Sequence, residues 1–265
     1  MLSIAGSDPT GGAGIQGDLK TFAAHGVVGT AVVSAVTVQN HEGVRAIHAI
    51  PPSIVAAQLD ALFDQAVPRA VKTGMLHSAE TVAAVAEVLG RRPVEFLVVD
   101  PVLAATAGGS LAAHAAPRSL PEALSTLLLP LATLVTPNLA ETAALLGHPV
   151  GAHEVGAAAV ELFRRLGGPA VLVKGGHGSG PESIDALATT HGVTLLAAPR
   201  IATTNGHGTG CALSASIAAR LARGDRMEDA VRGAKAYVGR ALTAARALGV
   251  GRGPVAHDVE ADARP

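Results

Sequence analysis

The chain has 265 residues, 49% of them hydrophobic and 15% charged, with a formal net charge of −1 and a pI near 6.8. That balance supplies a core, excludes a disordered chain, and leaves no basic footprint for nucleic acid or an anionic membrane. Tryptophan is absent, and four Phe and one Tyr offer no platform for stacking bases.

The elements follow in chain order. The opening "MLSIAGSD" lacks the cationic and apolar regions of a signal peptide. A short strand there runs into the glycine-rich "IAGSDPTGGAGIQGDLKTF" (Ile4–Phe22), which opens a helix. Near-continuous apolar runs then predict strands at Thr30–Val38, Arg69–Gly74, Glu95–Pro101, Thr133–Asn138 and Ala170–Gly176, each covered on both faces. Helical patterns lie between them at Pro52–Ala66, Ser78–Gly90 and Val155–Gly167, the last stopped by Gly-Gly-Pro. The apolar run Leu124–Val135 contains a proline and is too short to span a bilayer. Near the end, "TTNGHGTGCALSASIAARL" (Thr203–Leu221) carries the single cysteine, Cys211, just before a helical pattern. One cysteine excludes an intrachain disulfide and fits a reducing compartment, so the expectation is a soluble cytoplasmic protein.

A βαβ rhythm of this kind predicts an α/β fold, a doubly wound and mostly parallel sheet with helices on both faces. No repeat or linker divides the chain, so residues 1–254 are expected to form one domain. The aperiodic residues 255–265 are expected to be a loose tail. Ligands of such sheets sit beyond the carboxyl ends of the strands, which directs attention to four strand-to-helix junctions.

In the first junction the glycines allow close backbone approach to a ligand, although neither the G-x-x-x-x-G-K-[ST] nor the G-x-G-x-x-G template fits. A tight turn with Asp8 starting a helix is the plainer alternative. Asp18, one turn into that helix, either complements the dipole or faces a ligand. The second junction, "VVDPVLAATAGG" (Val98–Gly109), places Asp100 at the sheet rim, where it could hold Mg²⁺ or form an Asx turn before proline. In the third, "TPNLAET" (Thr136–Thr142), Asn138 and Glu141 suit a hard cation and its phosphates, or an ordinary capping box. The fourth follows the strand-end Lys174. There the amides of Thr209, Gly210 and Cys211 form an anion nest at a helix start, a place where a thiol has a lowered pKa. A small buried residue is the plainer reading of Cys211. His207 with Cys211 is too sparse for zinc, and no base and orienting group mark a thiol protease.

Taken together, "IAGSDPTGGAGIQGDLKTF", "TVQN", "VKTGML", "DPVL", "TPNLAE", "VLVKGGH", "NGHGTGCALSA", "AKAYVGRAL" and "GVGRGPVAH" make the chain resemble, over nearly its whole length, the hydroxymethylpyrimidine/phosphomethylpyrimidine kinases of thiamine biosynthesis. That family belongs to the ribokinase-like superfamily. The resemblance implies ATP and Mg²⁺, a small pyrimidine substrate and a homodimer, with no nucleic acid or membrane partner. It further implies a pyrimidine pocket of Gly6, Asp18, Gln39, Met75 and Val102, with Asp18 and Gln39 on the ring nitrogens and exocyclic amine. Lys174 and Asn138 would meet ATP phosphates, Asp100 and Glu141 would position Mg²⁺, and Gly208, Thr209, Gly210 and Cys211 would form the anion hole. Cys211 stands where the superfamily usually has an aspartate base, and cysteine is proposed as the base in the kinases that this chain resembles.

Four positions depart from the family's pattern. Gly206 and Ala212 stand where threonine is common, Gly109 where an acidic residue often lies, and Arg252 where histidine is common. A pyridoxal or dual-specificity kinase is the nearest rival, and Gln39 argues against it because an amide suits a pyrimidine edge better than a pyridine edge. A non-catalytic pyrimidine-binding regulator is the rival from another class. It would not need Asp100, Glu141, Lys174 and the glycine-rich nest.

Overall fold

The computed structural model describes residues 1–40, 42–103, 118–176, 180–245 and 253–262. The strands are β1 (Leu2–Ser7), β2 (Thr30–Asn40), β3 (Gly43–Ala49), β4 (Ala70–Thr73), β5 (Phe96–Val99), β6 (Leu134–Val135), β7 (Ala170–Val173), β8 (Glu182–Thr189) and β9 (Gly192–Pro199). The helices are α1 (Gly14–Ala24), α2 (Pro52–Gln65), α3 (Ala79–Arg91), the short α4 (Leu120–Ala123), α5 (Leu139–Leu146), α6 (Val155–Leu166), α7 (Thr209–Arg223) and α8 (Met227–Ala244). Each predicted strand and helix has an observed counterpart within a few residues. The edge strands β3, β8 and β9 were not anticipated, because their short apolar stretches are interrupted by polar residues.

One sheet runs in the order β3-β2-β1-β4-β5-β6-β7-β8-β9. Strands β2, β1, β4, β5, β6 and β7 are parallel to one another, and β3, β8 and β9 add antiparallel edges. Neighbouring residues in the central strands feed opposite layers, as the two-residue period of a strand requires. Val99, Val135 and Val171 pack with Val55, Leu59, Val85 and Leu162 of α2, α3 and α6. Val98, Leu134 and Leu172 pack with Leu213, Ile217 and Tyr237 of α7 and α8. The fold is therefore doubly wound and mostly parallel. Strand β2 departs from the expected two-sided burial: Val36 and Val38 are exposed, because its far half leaves the layers and pairs with β3 as a projecting ribbon.

Local signals explain several boundaries. Ser78 caps α3 by accepting from the Thr81 amide, and Ser119 does the same for α4 at the Glu122 amide. Among the described residues no helix is long and apolar enough to cross a membrane.

The expected loose tail is instead a strap, as far as residue 262. Val255, His257 and Ala261 are buried, and the Tyr237 hydroxyl donates to the His257 carbonyl at 2.8 Å. The Val255 amide donates to the His207 carbonyl, and Asp262 pairs with both Arg220 and Arg223. The segment has no periodicity because its bonds go to other elements rather than to itself.

Candidate active site

The parallel strands end on one rim, and the start of α7 reaches the same place. Lys174, just after β7, sets its Nζ 2.7 Å from Asp100 Oδ1, just after β5. The Thr136 hydroxyl donates to Asp100 Oδ1 at 3.2 Å and Ser214, one turn into α7, to Oδ2 at 3.4 Å. A methyl added at Gly210 would meet Lys174 Nζ at 3.4 Å and Asp100 Oδ2 at 3.9 Å, so the α7 start sits directly on the ion pair. Asn138 bridges to Lys174 in parallel register, and the Lys174 amide donates to the Pro137 carbonyl. Asp100, Lys174, Asn138 and Glu141 thus come together.

The capping alternative for the third junction is also real. Glu141 Oε2 accepts from the Asn138 amide at 2.7 Å, and Asn138 Oδ1 accepts from the Glu141 amide at 2.9 Å. The box holds both side chains at the rim of the site. Burial pushes the Glu141 carboxyl up to about 7, a rise that Lys174 opposes and Asp100 reinforces. Burial works against the Lys174 ammonium, but Asp100 and then Glu141 outweigh it and lift its pKa. Among the described residues no three His, Cys, Asp or Glu side chains gather as a metal cage. Two crowded carboxylates, Asp100 and Glu141, beside the Lys174 ammonium are a donor set that fits Mg²⁺, which commonly takes one or two protein carboxylates and completes its shell with other oxygens and water.

The helix start carries the next group. Gly208 has φ 83°, and a methyl there would collide with the Gly12 carbonyl oxygen. Only glycine allows the first loop and the nest to touch in this way. The Thr209 amide, expected to join the nest, instead donates to the Gly206 carbonyl at 3.3 Å. Burial raises the Cys211 thiol, against the pull of Lys72 and of the Gly14 amide. This is the opposite direction to the lowering expected for a cysteine at a helix start, because desolvation outweighs the Lys72 charge and the Gly14 amide. Ala212, next in the chain, is fully buried in the α7–α8 core.

Among the residues expected at a pyrimidine, Gly6 and Met75 meet, since a methyl at Gly6 would collide with Met75 Cε. The Ser34 hydroxyl donates to the Met75 carbonyl at 2.6 Å and fixes that turn. Val102 follows Asp100, its amide turned back onto the Asp100 carbonyl at 2.9 Å. Gln39, near the end of β2, pairs with Val44 of β3. Asp18 is placed differently from the expectation. It is fully buried, and its carboxylate accepts from Lys72 Nζ at 2.8 and 2.9 Å and from the Ser3 hydroxyl at 2.5 Å. Its position in α1 turns it inward onto Lys72 of β4. Burial works against the Lys72 ammonium, but Asp18 outweighs it and raises its pKa.

Three contributors were missed. Lys72 read as an ordinary strand residue, although a lysine inside an apolar strand is a signal in itself. Asp185 in β8 accepts from the Gly175 amide at 2.9 Å and from Lys235 Nζ at 2.6 Å, which steadies the turn after Lys174. Asp8 starts no helix: it accepts from the Thr10 and Ala13 amides and pairs with His207, all at 2.8 Å. The departures at Gly109 and Arg252, and His177 of "VLVKGGH", lie outside the described residues.

Comparison with known proteins gives a consistent result. The family described as phosphomethylpyrimidine kinase matches residues 8–256. A hydroxymethylpyrimidine/phosphomethylpyrimidine kinase of Rhizobium meliloti is 50% identical over 97% of this chain and 96% of its own. The Escherichia coli protein of the same name is 45% identical, with the same two coverages of 97% and 96%. Among solved structures, the pyridoxal kinase of Staphylococcus aureus in complex with AMP-PCP and pyridoxal superposes with a TM-score of 0.86 at 31% identity, covering 97% of this chain and 92% of that one. The phosphomethylpyrimidine kinase of Clostridium difficile gives 0.76 at 36% identity, covering 91% and 97%.

Proposed function

The chain belongs to the phosphomethylpyrimidine kinase family, and from that premise we propose that it transfers the γ-phosphoryl group of ATP first to the hydroxymethyl oxygen of 4-amino-5-hydroxymethyl-2-methylpyrimidine and then to the resulting monophosphate. The product of the second step is the diphosphate used in thiamine biosynthesis. The observation that carries this reading is the convergence of Lys174, Asp100 and Glu141 on the glycine-rich start of α7.

Phosphoryl transfer needs positioning and charge stabilisation more than covalent chemistry. Lys174 would exchange its Asp100 partner for phosphate oxygens, with Asn138 beside it. The Gly210 and Cys211 amides would face the phosphoryl group in flight, and the dipole of α7 would favour its charge. When bound, Mg²⁺ would supply charge neutralisation across the phosphates, held at Asp100 and Glu141 directly or through water.

In the first step the substrate oxygen bonds to the γ-phosphorus as the bond to the β-phosphate oxygen breaks, and ADP leaves. The hydroxyl proton passes to Cys211 as thiolate and then to solvent. Burial keeps the thiolate fraction small, and the nearby Lys72 charge limits that cost. In the second step an anionic phosphate oxygen attacks a second ATP, so no base is needed.

The pyridoxal reading has one observation in its favour, the close superposition on a pyridoxal kinase. Gln39 and the identities to pyrimidine kinases oppose it. A soluble cytoplasmic homodimer without nucleic-acid or membrane partners accompanies the proposed activity. Coupled ADP release with MgATP tests the proposal on hydroxymethylpyrimidine, its monophosphate and pyridoxal in turn. Turnover of both pyrimidines with pyridoxal much slower is expected. Turnover of pyridoxal alone overturns the reading.

A further inference from the structure

The backbone that follows Lys174 is gripped by a single distant side chain. Strands β7 and β8 pair as far as Val173 and Ala186, and a methyl at Gly175 would collide with the Ile184 carbonyl oxygen, so the hairpin stays closed beyond the strand ends. Gly176 leaves the hairpin on one side, and Gly180, Pro181 and Glu182 enter it on the other. Arg200, one residue past the end of β9, reaches both sides. Its Nη1 donates to the Gly176 carbonyl at 2.5 Å, its Nε to the Gly180 carbonyl at 2.9 Å and its Nη2 to the Glu182 carbonyl at 2.9 Å. Register explains the reach: Glu182 of β8 pairs with Pro199 of β9, and the Arg200 amide donates to the Pro181 carbonyl at 2.7 Å.

Three N–H groups of one planar guanidinium, set on three carbonyls from two segments, fix both the spacing and the direction of those segments. An ammonium offers its donors from a single nitrogen and cannot span them. Among the described residues no carboxylate pairs with Arg200, so the fork and not charge neutralisation accounts for its place. The same backbone is held from its other side, where the Gly175 amide donates to Asp185 at 2.9 Å and Lys235 Nζ anchors that carboxylate at 2.6 Å. Gly176 is two residues from Lys174, whose ammonium meets Asp100 at the rim. Onward along the chain, Arg200 begins the segment that enters α7 at Thr209. One side chain therefore ties the turn after Lys174 to the approach of the glycine-rich helix start.

We propose that Arg200 is a positioning residue for the nucleotide: by clamping the turn after Lys174 to the segment that leads into α7, it holds the Lys174 ammonium where a triphosphate can take it. This role rests on the reading in which Lys174 meets the phosphates of ATP. Arg200 acts through backbone carbonyls and not by touching the reacting atoms. Without the fork the turn gains freedom that nucleotide binding must then remove, and that cost weakens the nucleotide complex. Gly6 in β1 and Met75 after β4 belong to other strands and lose no contact, so the pyrimidine is unaffected.

The experiment measures kcat, KM for ATP, melting temperature and the dissociation constants of MgAMP-PCP and hydroxymethylpyrimidine. Wild-type protein, Arg200→Ala, Arg200→Lys and Lys174→Met are compared. Arg200→Ala is expected to raise KM for ATP and the MgAMP-PCP constant by about tenfold, with kcat lowered less than about threefold and pyrimidine affinity within about twofold of wild type. Arg200→Lys is expected to match Arg200→Ala, because the charge remains and the fork does not. A merely structural role would lower the melting temperature and the active fraction while leaving the nucleotide constants in place. Unchanged nucleotide constants in Arg200→Ala, beside raised ones in Lys174→Met, overturn the proposal alone. Unchanged constants in Lys174→Met overturn the reading of that lysine and the proposal with it. Wild-type nucleotide affinity in Arg200→Lys, or equal weakening of nucleotide and pyrimidine in either Arg200 variant, also overturns it. Should Arg200→Ala not fold, Arg200→Lys decides by the same measurements.

Discussion

Two lysine–aspartate pairs in this molecule look alike in sequence and behave differently in the fold. Lys72–Asp18 lies beneath the site with both side chains 0% exposed, whereas Lys174–Asp100 lies at its mouth with side chains 13% and 3% exposed. The sealed pair has no route to exchange partners, and each charge depends on the other for its solvation. The open pair faces the start of α7, where the proposed reaction would bring a phosphate oxygen to the ammonium. The same two residue types thus form a sealed support in one place and a partly exposed pair in the other, where the proposed function needs an exchangeable partner. Burial makes the difference.

The sharpest way to break this comparison is to remove each lysine in turn. Lys72→Met leaves Asp18 as an uncompensated buried charge and is expected to destabilise the fold by about 3–5 kcal/mol, measured by chemical denaturation. The double change Lys72→Met with Asp18→Asn should recover most of that loss. Equal stability of the single and double variants would contradict the sealed-pair account. Lys174→Met should lower kcat/KM for ATP by about 10²–10³-fold, with a much smaller fall in melting temperature than Lys72→Met. Comparable unfolding in both variants would erase the distinction between the pairs. Cys211→Ala, above the sealed pair, should leave pyrimidine affinity intact and slow the first phosphorylation by about 10²-fold, while the second, which needs no base, slows far less. Equal losses in both steps would remove Cys211 from the role of base.

A buried group without a counter-charge sharpens the comparison through pH. His25 is 3% exposed, its Nδ1 has no partner, and burial lowers its pKa from 6.5 to about 4. The unfolded chain therefore binds the proton more tightly than the folded one. Stability from this group is complete above pH 6.5 and is lost as pH falls from there toward 4. Between pH 7 and 5 the loss is expected to be about 2 kcal/mol, and His25→Gln should flatten the profile by that amount. At the exposed end of the scale, Arg232 and Glu228 pair across one helical turn with side chains about half exposed. Glu228→Ala should change stability by no more than about 0.5 kcal/mol, an effect that added salt diminishes further.

The amino-acid sequence by itself determined the layered fold and most of the rim. Val98 and Val99 in "EFLVVDP" feed opposite layers because alternation is local, and Asp100, Asn138, Glu141 and Lys174 were legible because each follows a strand. In a parallel sheet all such positions share one edge. Glycine spacing likewise marked the α7 start. What the tertiary structure alone decided is which of these groups face each other and which are shut from water. Nothing in "GDLK" or "VKTG" states that Asp18 and Lys72 meet 54 residues apart. The raised Cys211 thiol depends on burial assembled by α1, β4 and α7 together, and the strap at Val255–Asp262 is held by partners far away in the chain. Solvent exclusion is a property of the assembled layers, and it decides whether a charge or a thiol supports the fold or serves the reaction.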